Sequence, residues 1–295
     1  MGSEPKPAKR FFGRLGAVGD AVMIRHTLFS LPFALAAVLL ETDGRPPAAK
    51  LAWIIIAAFG ARNGANALNR IIDNRIDARN PRTASRPLVT GAVSKRELLV
   101  FTIFMLGLLI LGAAMLNPLC LVLLPVAGIL VFGYSYTKRF TWLCHYWLGV
   151  ACSAATMGAF LGISGRFEFR YFPFVGAVAL WVSGFDIIYA LQDIEFDRSE
   201  GLYSIPAAFG AGAARLLAAG SHLAAVAGLA SVLVFWRSTG IGTLAALAAC
   251  VVLLAVEHLL AVRVTASRIR VAAYGINEII PIIFLAGVAL DLFLI

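Results

Sequence analysis

The amino-acid sequence predicts an all-α integral membrane protein, and three observations support this fold class. Of the 295 residues, 60% are hydrophobic and only 14% are charged, whereas soluble domains carry roughly a quarter charged residues. The mean hydropathy is +0.86. Runs such as Leu98–Leu116 and Ile241–Leu260 are apolar on every face, which excludes the alternating pattern of a membrane barrel.

The apolar stretches predict the individual elements in order. A spanning helix needs about 20 mainly apolar residues. Nine such stretches follow one another, centred near residues 30, 58, 106, 127, 151, 181, 222, 248 and 284. They fill the chain, so we predict one transmembrane domain over 17–295 with about nine helices. The preceding residues, 1–16, are basic and rich in Pro and Gly, and we expect them to form a disordered arm that stays on the protein.

The basic residues predict the orientation of the helices. The net charge of +9 does not predict a nucleic-acid partner, because the basic residues lie in short clusters between apolar runs. With the N-terminus in the cytoplasm, 19 of the 25 basic residues fall on the cytoplasmic side, five fall on the other side and Arg62 lies inside a helix. The positive-inside rule therefore predicts a multi-pass protein of the cytoplasmic membrane, with the N-terminus inside and the C-terminus outside.

Charged residues interrupt the apolar pattern in two segments, 62–88 and 186–206. Polar residues recur there every four positions: Asn69, Asp73 and Asp77 in the first segment, and Tyr189, Asp193 and Asp197 in the second. Each trio is expected to lie along one helical face, with successive members roughly 6 Å apart along the axis. Charges within a membrane are costly and usually mark function.

The two aspartate pairs predict a magnesium and diphosphate site. Mg²⁺ is commonly held by one or two carboxylates together with substrate phosphates, and two DxxxD faces across a cavity would provide such ligands. The alternative is that the aspartates are solvated groups at helix ends, paired with Arg70, Arg75, Arg79 and Arg198. Both copies occupy predicted cytoplasmic helix ends and lead into loops with Gly or Pro, which favours the metal site.

The two charged segments resemble the signature motifs of the UbiA prenyltransferase superfamily. The first segment is similar to its N-xxx-D-xxx-D pattern followed by RTxxRP, and the second to its YAxQDxxxDxxxGxxSxP pattern. A third match, 134–141, resembles the loop after the fourth helix of that family. The amino-acid sequences of the two segments are most similar to those of the bacterial 4-hydroxybenzoate polyprenyltransferase-like branch, which includes the MqnP enzymes of menaquinone biosynthesis. The tripeptide Arg86-Pro87-Leu88 resembles the sequence of the hydroxybenzoate enzymes at this position, whereas the menaquinone branch is expected to carry Arg-Glu-Leu there.

The resemblance implies a Mg²⁺-dependent transferase that joins a polyprenyl diphosphate to an aromatic acid, with the membrane lipid around it. It implies metal-binding roles for Asp73, Asp77, Asp193 and Asp197, with Asn69 supporting the first pair. Further residues are implied as substrate contacts: Arg86 and Lys138 first, then Arg25, Arg82, Arg139 and Tyr189. The acceptor stays open between 4-hydroxybenzoate and a dihydroxynaphthoate, within ubiquinone or menaquinone biosynthesis.

Arg62 is expected to bind the carboxylate of the acceptor. It precedes Asn69 by seven residues, which places it about two turns and roughly 10 Å deeper on the same face. A guanidinium can hold a carboxylate through two hydrogen bonds. The alternative is that Arg62 snorkels toward a membrane surface.

Two other classes of protein compete with an enzyme. A cation-coupled secondary transporter would also carry charges and a two-fold repeat, but here the charges lie near helix ends rather than at mid-membrane. A membrane scaffold without activity would leave two aligned aspartate arrays unexplained. Release of diphosphate by the purified protein separates these classes.

Overall fold

The computed structural model describes residues 16, 18–22, 31–263 and 265–294, and it contains no strand within them. Residues 1–15 of the predicted arm and the candidate substrate contact Arg25 lie outside this part of the chain. Nine longer helices occur in it: α1 Leu31–Glu41, α2 Ala48–Arg79, α3 Lys95–Leu116, α4 Leu124–Thr137, α5 Cys144–Ser164, α6 Tyr171–Ala190, α7 Ile205–Ala230, α8 Ile241–Ala261 and α9 Asn277–Leu294. Short helical elements connect them: Pro118–Val122, Leu191–Asp193, Ile194–Ser199, Val232–Phe235, Ala266–Arg270 and Val271–Ile276.

The all-α prediction is confirmed, whereas the count of nine spans stays a prediction. Within the described ranges, six helical segments have the length and hydropathy to cross a membrane: Lys95–Leu116, Cys144–Ser164, Tyr171–Ser199, Ile205–Phe235, Ile241–Ala261 and Ser267–Leu294. Helices α1 and α4 are apolar but shorter. Helix α2 has 32 residues, and the polar first segment makes up its second half.

Helix α2 is held against α3 by small residues. A Cβ added to Gly60 would clash with the carbonyl oxygen of Met105, and one added to Gly112 would lie 2.9 Å from that of Trp53. Only a glycine permits this approach of two backbones, which is a common way to pack helices in membranes. At about 1.5 Å per residue, α2 is about 48 Å long and exceeds the roughly 30 Å of hydrocarbon.

An aromatic core joins α1, α6 and α9. Phe33 of α1 lies 5.2 Å from Trp181 of α6 between ring centroids, and Phe174 of α6 lies 5.6 Å from Phe284 of α9. All four side chains are buried. Rings of this size dominate the burial of a core, so they pack α1, α6 and α9 against one another.

The N-terminus of α8 is capped by an aspartate of α9 that the sequence analysis did not single out. Asp291 of α9 accepts hydrogen bonds from the backbone N–H groups of Gly240, Gly242 and Thr243, each at 2.7 or 2.8 Å, and from the Thr243 hydroxyl. The first N–H groups of a helix have no partner within that helix. A buried carboxylate from α9 supplies one and fixes the entry of α8.

The loops gather at two ends of the bundle. At one end, hydrogen bonds join Glu41 to Arg170, Asp43 to Ser238, Asn117 to Leu161, and Lys50 to Ile163. At the other end, polar contacts join Arg79 to Glu200, Lys138 to Asp197, and Arg215 to Ala261. Successive links therefore alternate between the ends, as the predicted topology requires.

The orientation of the bundle is open to a direct test. Reporters fused near Thr90, Lys138, Ser199 and Ser267 are expected to report the cytoplasm, because the excess of basic residues lies on that side. Reporters near Asp43, Asn117, Arg166 and Ser238 are expected to report the opposite side. Reversed signals at two or more of these positions would contradict the nine-span topology.

Candidate active site

The trio Asn69, Asp73 and Asp77 of the first charged segment lies on one face of α2, as predicted. Asn69, Asp73 and Asp77 all line a single cavity. The Asn69 amide donates a hydrogen bond of 2.7 Å to Oδ2 of Asp73, and the Arg139 guanidinium donates one of 2.7 Å to Oδ1. Asn69 therefore supports the first aspartate through a direct contact.

The second charged segment reaches the same cavity by a different backbone path. Helix α6 ends at Ala190, residues Leu191–Asp193 form a 3-10 turn, and the helix Ile194–Ser199 follows. Tyr189, Asp193 and Asp197 all line the cavity. The expectation of one continuous helical face is wrong here, because Asp193 (φ −106°, ψ 7°) departs from α-helical geometry and re-aims the side chains after it.

Each of the four aspartates is paired with a basic side chain around the mouth of the cavity. The pairs are Asp73 with Arg139 at 2.7 Å, Asp77 with Arg86 at 2.5 Å, Asp193 with Arg82 at 2.7 Å, and Asp197 with Lys138 at 3.0 Å. All four partners belong to the predicted substrate contacts. The competing expectation assigned other arginines to these carboxylates, whereas Arg79 pairs with Glu200 and Arg198 bonds to the carbonyl oxygen of Ala207.

Arg82 joins the loop after the first segment to the second segment. Its Nε and one Nη donate to the two oxygens of Asp193 at 2.9 and 2.7 Å, and its other Nη donates to the Tyr189 hydroxyl at 2.6 Å. Asn80 adds a hydrogen bond of 3.3 Å to the same carboxylate. A bidentate guanidinium orients a carboxylate and also compensates its charge. Arg82 therefore holds Asp193 in one orientation and offsets the cost of burying a carboxylate that is only 4% exposed.

Lys138 follows α4 and reaches the last of the aspartates. Asp197 is fully buried, and it also accepts a hydrogen bond of 2.7 Å from the Ser204 hydroxyl. Burial works to lower the pKa of the Lys138 ammonium, but the Asp197 and Asp193 carboxylates outweigh it and raise that pKa above its usual value. Lys138 therefore carries its charge into the site at neutral pH.

Behind this charged mouth, the cavity continues between α2, α4, α5 and α6 and has a volume of about 800 Å³. Its inner wall is mostly apolar and includes Leu130, Val131 and Leu148. Arg62 also lines it, on the wall formed by α2. The arrangement combines a charged entrance with a mostly apolar interior, and it places one further cation inside.

His145 and Asp186 line this cavity but were not among the predicted site residues. The His145 Nδ1 lies 2.6 Å from Oδ2 of Asp186, and both side chains line the cavity. Asp186 stands inside an apolar stretch seven residues before Asp193, so an isolated intramembrane carboxylate was a signal that marked it. His145 carried no such signal, because nothing in the sequence shows that α5 brings it to α6.

The carboxylates fit a divalent cation that is shared with a substrate. In the described portion of the chain, no three His, Cys, Asp or Glu side chains converge in a way that would hold a metal by themselves. Four carboxylates nevertheless face one mouth, together with four cations. Mg²⁺ binds in this incomplete kind of site, where phosphate oxygens and waters complete its coordination.

Comparison with known proteins shows the family to which the chain is related. The model of the UbiA prenyltransferase family matches residues 30–286. The 4-hydroxybenzoate octaprenyltransferase of Neisseria meningitidis serogroup B is 32% identical over 174 residues, and that of Shewanella sediminis is 35% identical over 185 residues. These matches cover 59% and 62% of this chain and 59% and 64% of the relatives, so the chain matches less than two thirds of their length.

Solved structures share the fold. The apo structure of a UbiA homolog from Aeropyrum pernix K1 has a TM-score of 0.83 and 34% identity, and the match covers 91% of this chain and 98% of that one. A UbiA homolog from Archaeoglobus fulgidus, bound to GPP and Mg²⁺, has a TM-score of 0.67 at 19% identity, with coverage of 92% and 99%. The second likeness shows the fold alone. The chain is thus a member of the UbiA prenyltransferase family.

Proposed function

We propose that this protein transfers a prenyl group from a prenyl diphosphate to an aromatic acid, with Mg²⁺ at the four aspartates. The observation that carries the proposal is the ring of four aspartates and four basic side chains at the mouth of an apolar cavity. The names of the curated relatives support the reaction class. The homolog solved with GPP and Mg²⁺ supports the type of donor and metal.

The charged mouth is suited to the departure of diphosphate. Asp73, Asp77, Asp193 and Asp197 would hold the metal. Bound Mg²⁺ would neutralise the negative charge that develops on the leaving oxygens. Positioned cations act in the same way without reorganising during the reaction. In the proposed complex, the basic partners of these aspartates turn their N–H groups from the carboxylates to diphosphate oxygens, and the ion pairs keep them in place before substrate binds.

The interior is suited to the other half of the reaction. An allylic cation is captured by water unless water is kept out, and the walls between α4 and α5 are apolar. A phenol ring placed there would attack the cation through the carbon beside its hydroxyl. Arg62 provides a counter-charge for the acceptor carboxylate on the α2 wall, and a long prenyl tail can continue along the apolar surface toward lipid.

Two acceptors fit this description. 4-Hydroxybenzoate is the acceptor in the names of the curated relatives. A dihydroxynaphthoate also combines a carboxylate with a hydroxyl group on an aromatic ring, and the wording of the two charged segments resembles the menaquinone branch as well. The proposal places the reaction at the cytoplasmic face of the cytoplasmic membrane, in ubiquinone or menaquinone biosynthesis.

One assay tests the proposal directly. Purified protein in nanodiscs is incubated with geranyl diphosphate and Mg²⁺, with either acceptor, and products are identified by mass spectrometry while released diphosphate is counted. We expect one prenylated aromatic acid for each diphosphate with one of the two acceptors, and no product after chelation of Mg²⁺. Absence of product with both acceptors, or turnover that survives chelation, would overturn the proposal.

A further inference from the structure

A fifth carboxylate lines the cavity and has a different kind of partner. Asp186 of α6 precedes Asp193 by seven residues, about two turns and roughly 10 Å deeper along the helix. Its side chain is 22% exposed and lines the cavity. The aspartates at the mouth pair with Arg or Lys, whereas Asp186 contacts the imidazole of His145 at 2.6 Å. The metal and diphosphate chemistry described above does not use it.

The hydrogen bonds of His145 indicate which of its ring nitrogens donates to Asp186. The ring is 2% exposed, and its Nε2 accepts a hydrogen bond of 3.3 Å from the backbone N–H of Ile205 at the start of α7. An imidazole that accepts at Nε2 carries its proton on Nδ1. In this arrangement His145 donates from Nδ1 to Oδ2 of Asp186, while Nε2 accepts from Ile205.

This pair shares the inner cavity with Arg62. Arg62 precedes Asp73 by eleven residues and Asp186 precedes Asp193 by seven, so both lie deeper along their helices than the aspartates at the mouth, and both line the cavity. Cys152 of α5 lies close enough to both Arg62 and Asp186 to interact with each of them electrostatically. A compartment with a cation on the α2 wall and a carboxylate on the α6 wall is complementary to an aromatic ring that carries a carboxylate and a hydroxyl group.

We propose that Asp186 accepts the proton of the acceptor hydroxyl, and that His145 positions Asp186 for this task. The inference rests on the function proposed above and extends it to the acceptor. Asp186 is then the catalytic base for the aromatic substrate, and His145 is a positioning residue that acts through it. Arg62 and Asp186 together would select acceptors that carry both groups.

The proposed step balances as follows. The bond between the prenyl carbon and the diphosphate oxygen breaks, and the ring carbon beside the hydroxyl forms a bond to the prenyl carbon. The hydroxyl proton passes to Asp186 as the phenolic oxygen becomes a carbonyl oxygen. The substituted ring carbon then loses its proton to the released diphosphate, and the oxygen recovers a proton from Asp186, which restores the phenol and the carboxylate.

The first test replaces Asp186 by asparagine. With 4-hydroxybenzoate and geranyl diphosphate, we expect kcat of D186N to fall about a hundredfold, within the usual range for general base catalysis. The Kd for geranyl diphosphate should change less than twofold, because the mouth of the cavity is intact. The dihydroxynaphthoate is used instead if the wild type prefers it.

A more acidic phenol separates a base from a residue that only maintains structure. 3-Fluoro-4-hydroxybenzoate gives up its hydroxyl proton more readily, so it depends less on a base. We expect the loss caused by Asp186→Asn to shrink from about a hundredfold to about tenfold with this acceptor. Equal losses with both acceptors would overturn the role of Asp186 as base.

A matched pair of variants tests the positioning role of His145. In His145→Asn the side-chain amide stands near the place of Nδ1 and retains a donor for Asp186, whereas His145→Leu removes it. We expect the Asn variant to keep kcat within about threefold of the wild type. The Leu variant should lose about tenfold, and part of that loss should be recovered with the fluorinated acceptor. Equal kcat for the two variants would overturn the positioning role.

Failure of this inference is distinguishable from failure of the proposed function. If the wild type forms no prenylated product, the proposed function is wrong and the role of Asp186 falls with it. If the wild type is active and D186N keeps kcat within threefold, only the present inference is overturned. If D186N fails to bind geranyl diphosphate, the comparison of His145→Leu with the fluorinated acceptor decides the question.

Discussion

Replacing Asp193 with asparagine is expected to lower turnover by at least about a hundredfold, equivalent to about 2.7 kcal/mol of transition-state stabilisation. The change keeps the size of the side chain and removes its charge. Asp193 is almost completely buried and binds Arg82 through two hydrogen bonds. An asparagine offers one acceptor and one donor to the same guanidinium, so both the proposed metal ligand and the placement of Arg82 are weakened.

The Mg²⁺ dependence of turnover distinguishes these two contributions. For Asp193→Asn, we expect half-maximal activity to require a higher Mg²⁺ concentration, because one carboxylate ligand is lost. For Arg82→Met, we expect mainly a higher KM for the prenyl diphosphate. Glu195→Gln is the matched control, since Glu195 is an exposed carboxylate two residues further on, and its turnover should stay unchanged.

Two results would contradict a metal role for Asp193. The first is near-normal turnover of Asp193→Asn at the Mg²⁺ concentration that half saturates the wild type. The second is a Mg²⁺ requirement that Asp193→Asn leaves unaltered while turnover falls. In the second case Asp193 would serve only to place Arg82, and adding Arg82→Met to Asp193→Asn should then cause no further loss.

Replacing Arg62 with methionine is expected to raise the acceptor KM about thirtyfold, which corresponds to about 2 kcal/mol. Methionine fills a similar volume without a charge. Arg62 lines the interior of the cavity, away from the four ion pairs at its mouth. Binding of the prenyl diphosphate should therefore persist, and its Kd provides a measure of correct folding.

A substrate change completes the test of Arg62. Converting the acceptor carboxylate to an amide removes the charge from the other partner, so the wild type should lose heavily while Arg62→Met should lose little. Such coupling arises only when two groups interact. Additive losses would show that Arg62 serves another purpose, such as contact with the diphosphate. Arg166→Met is the control, because Arg166 lies in an exposed loop and pairs with Glu168.

Periodicity along the chain was sufficient to predict the helical fold and the acidic half of the site. Long apolar runs predicted the helices, because in a bilayer a backbone must satisfy its own hydrogen bonds. In the first segment the four-residue spacing worked for a similar reason, since a helix places such residues on one side, whereas the 3-10 turn at Leu191–Asp193 interrupts that regularity in the second. These are local consequences of the sequence, and the structure shows that Asp73, Asp77, Asp193 and Asp197 share that cavity.

The pairing of charges was decided only by the tertiary structure. Many arginines stand near the aspartates in the sequence, yet Asp193 binds Arg82, 111 residues away, and Asp73 binds Arg139, 66 residues away. Which cation reaches which carboxylate depends on how α2, α4 and α6 pack, on the 3-10 turn at Leu191–Asp193 and on the loop after α2. No periodicity encodes those distances.

The contact between His145 and Asp186 shows the same division most clearly. The sequence by itself determined that an acidic residue stands within an apolar helix, and the cost of a charge in the membrane gave that fact meaning. Only the packing of α5 against α6, with the start of α7 beside them, decided that a buried imidazole contacts it. Local patterns follow from backbone geometry, whereas a contact between distant residues is settled by the close packing of whole helices.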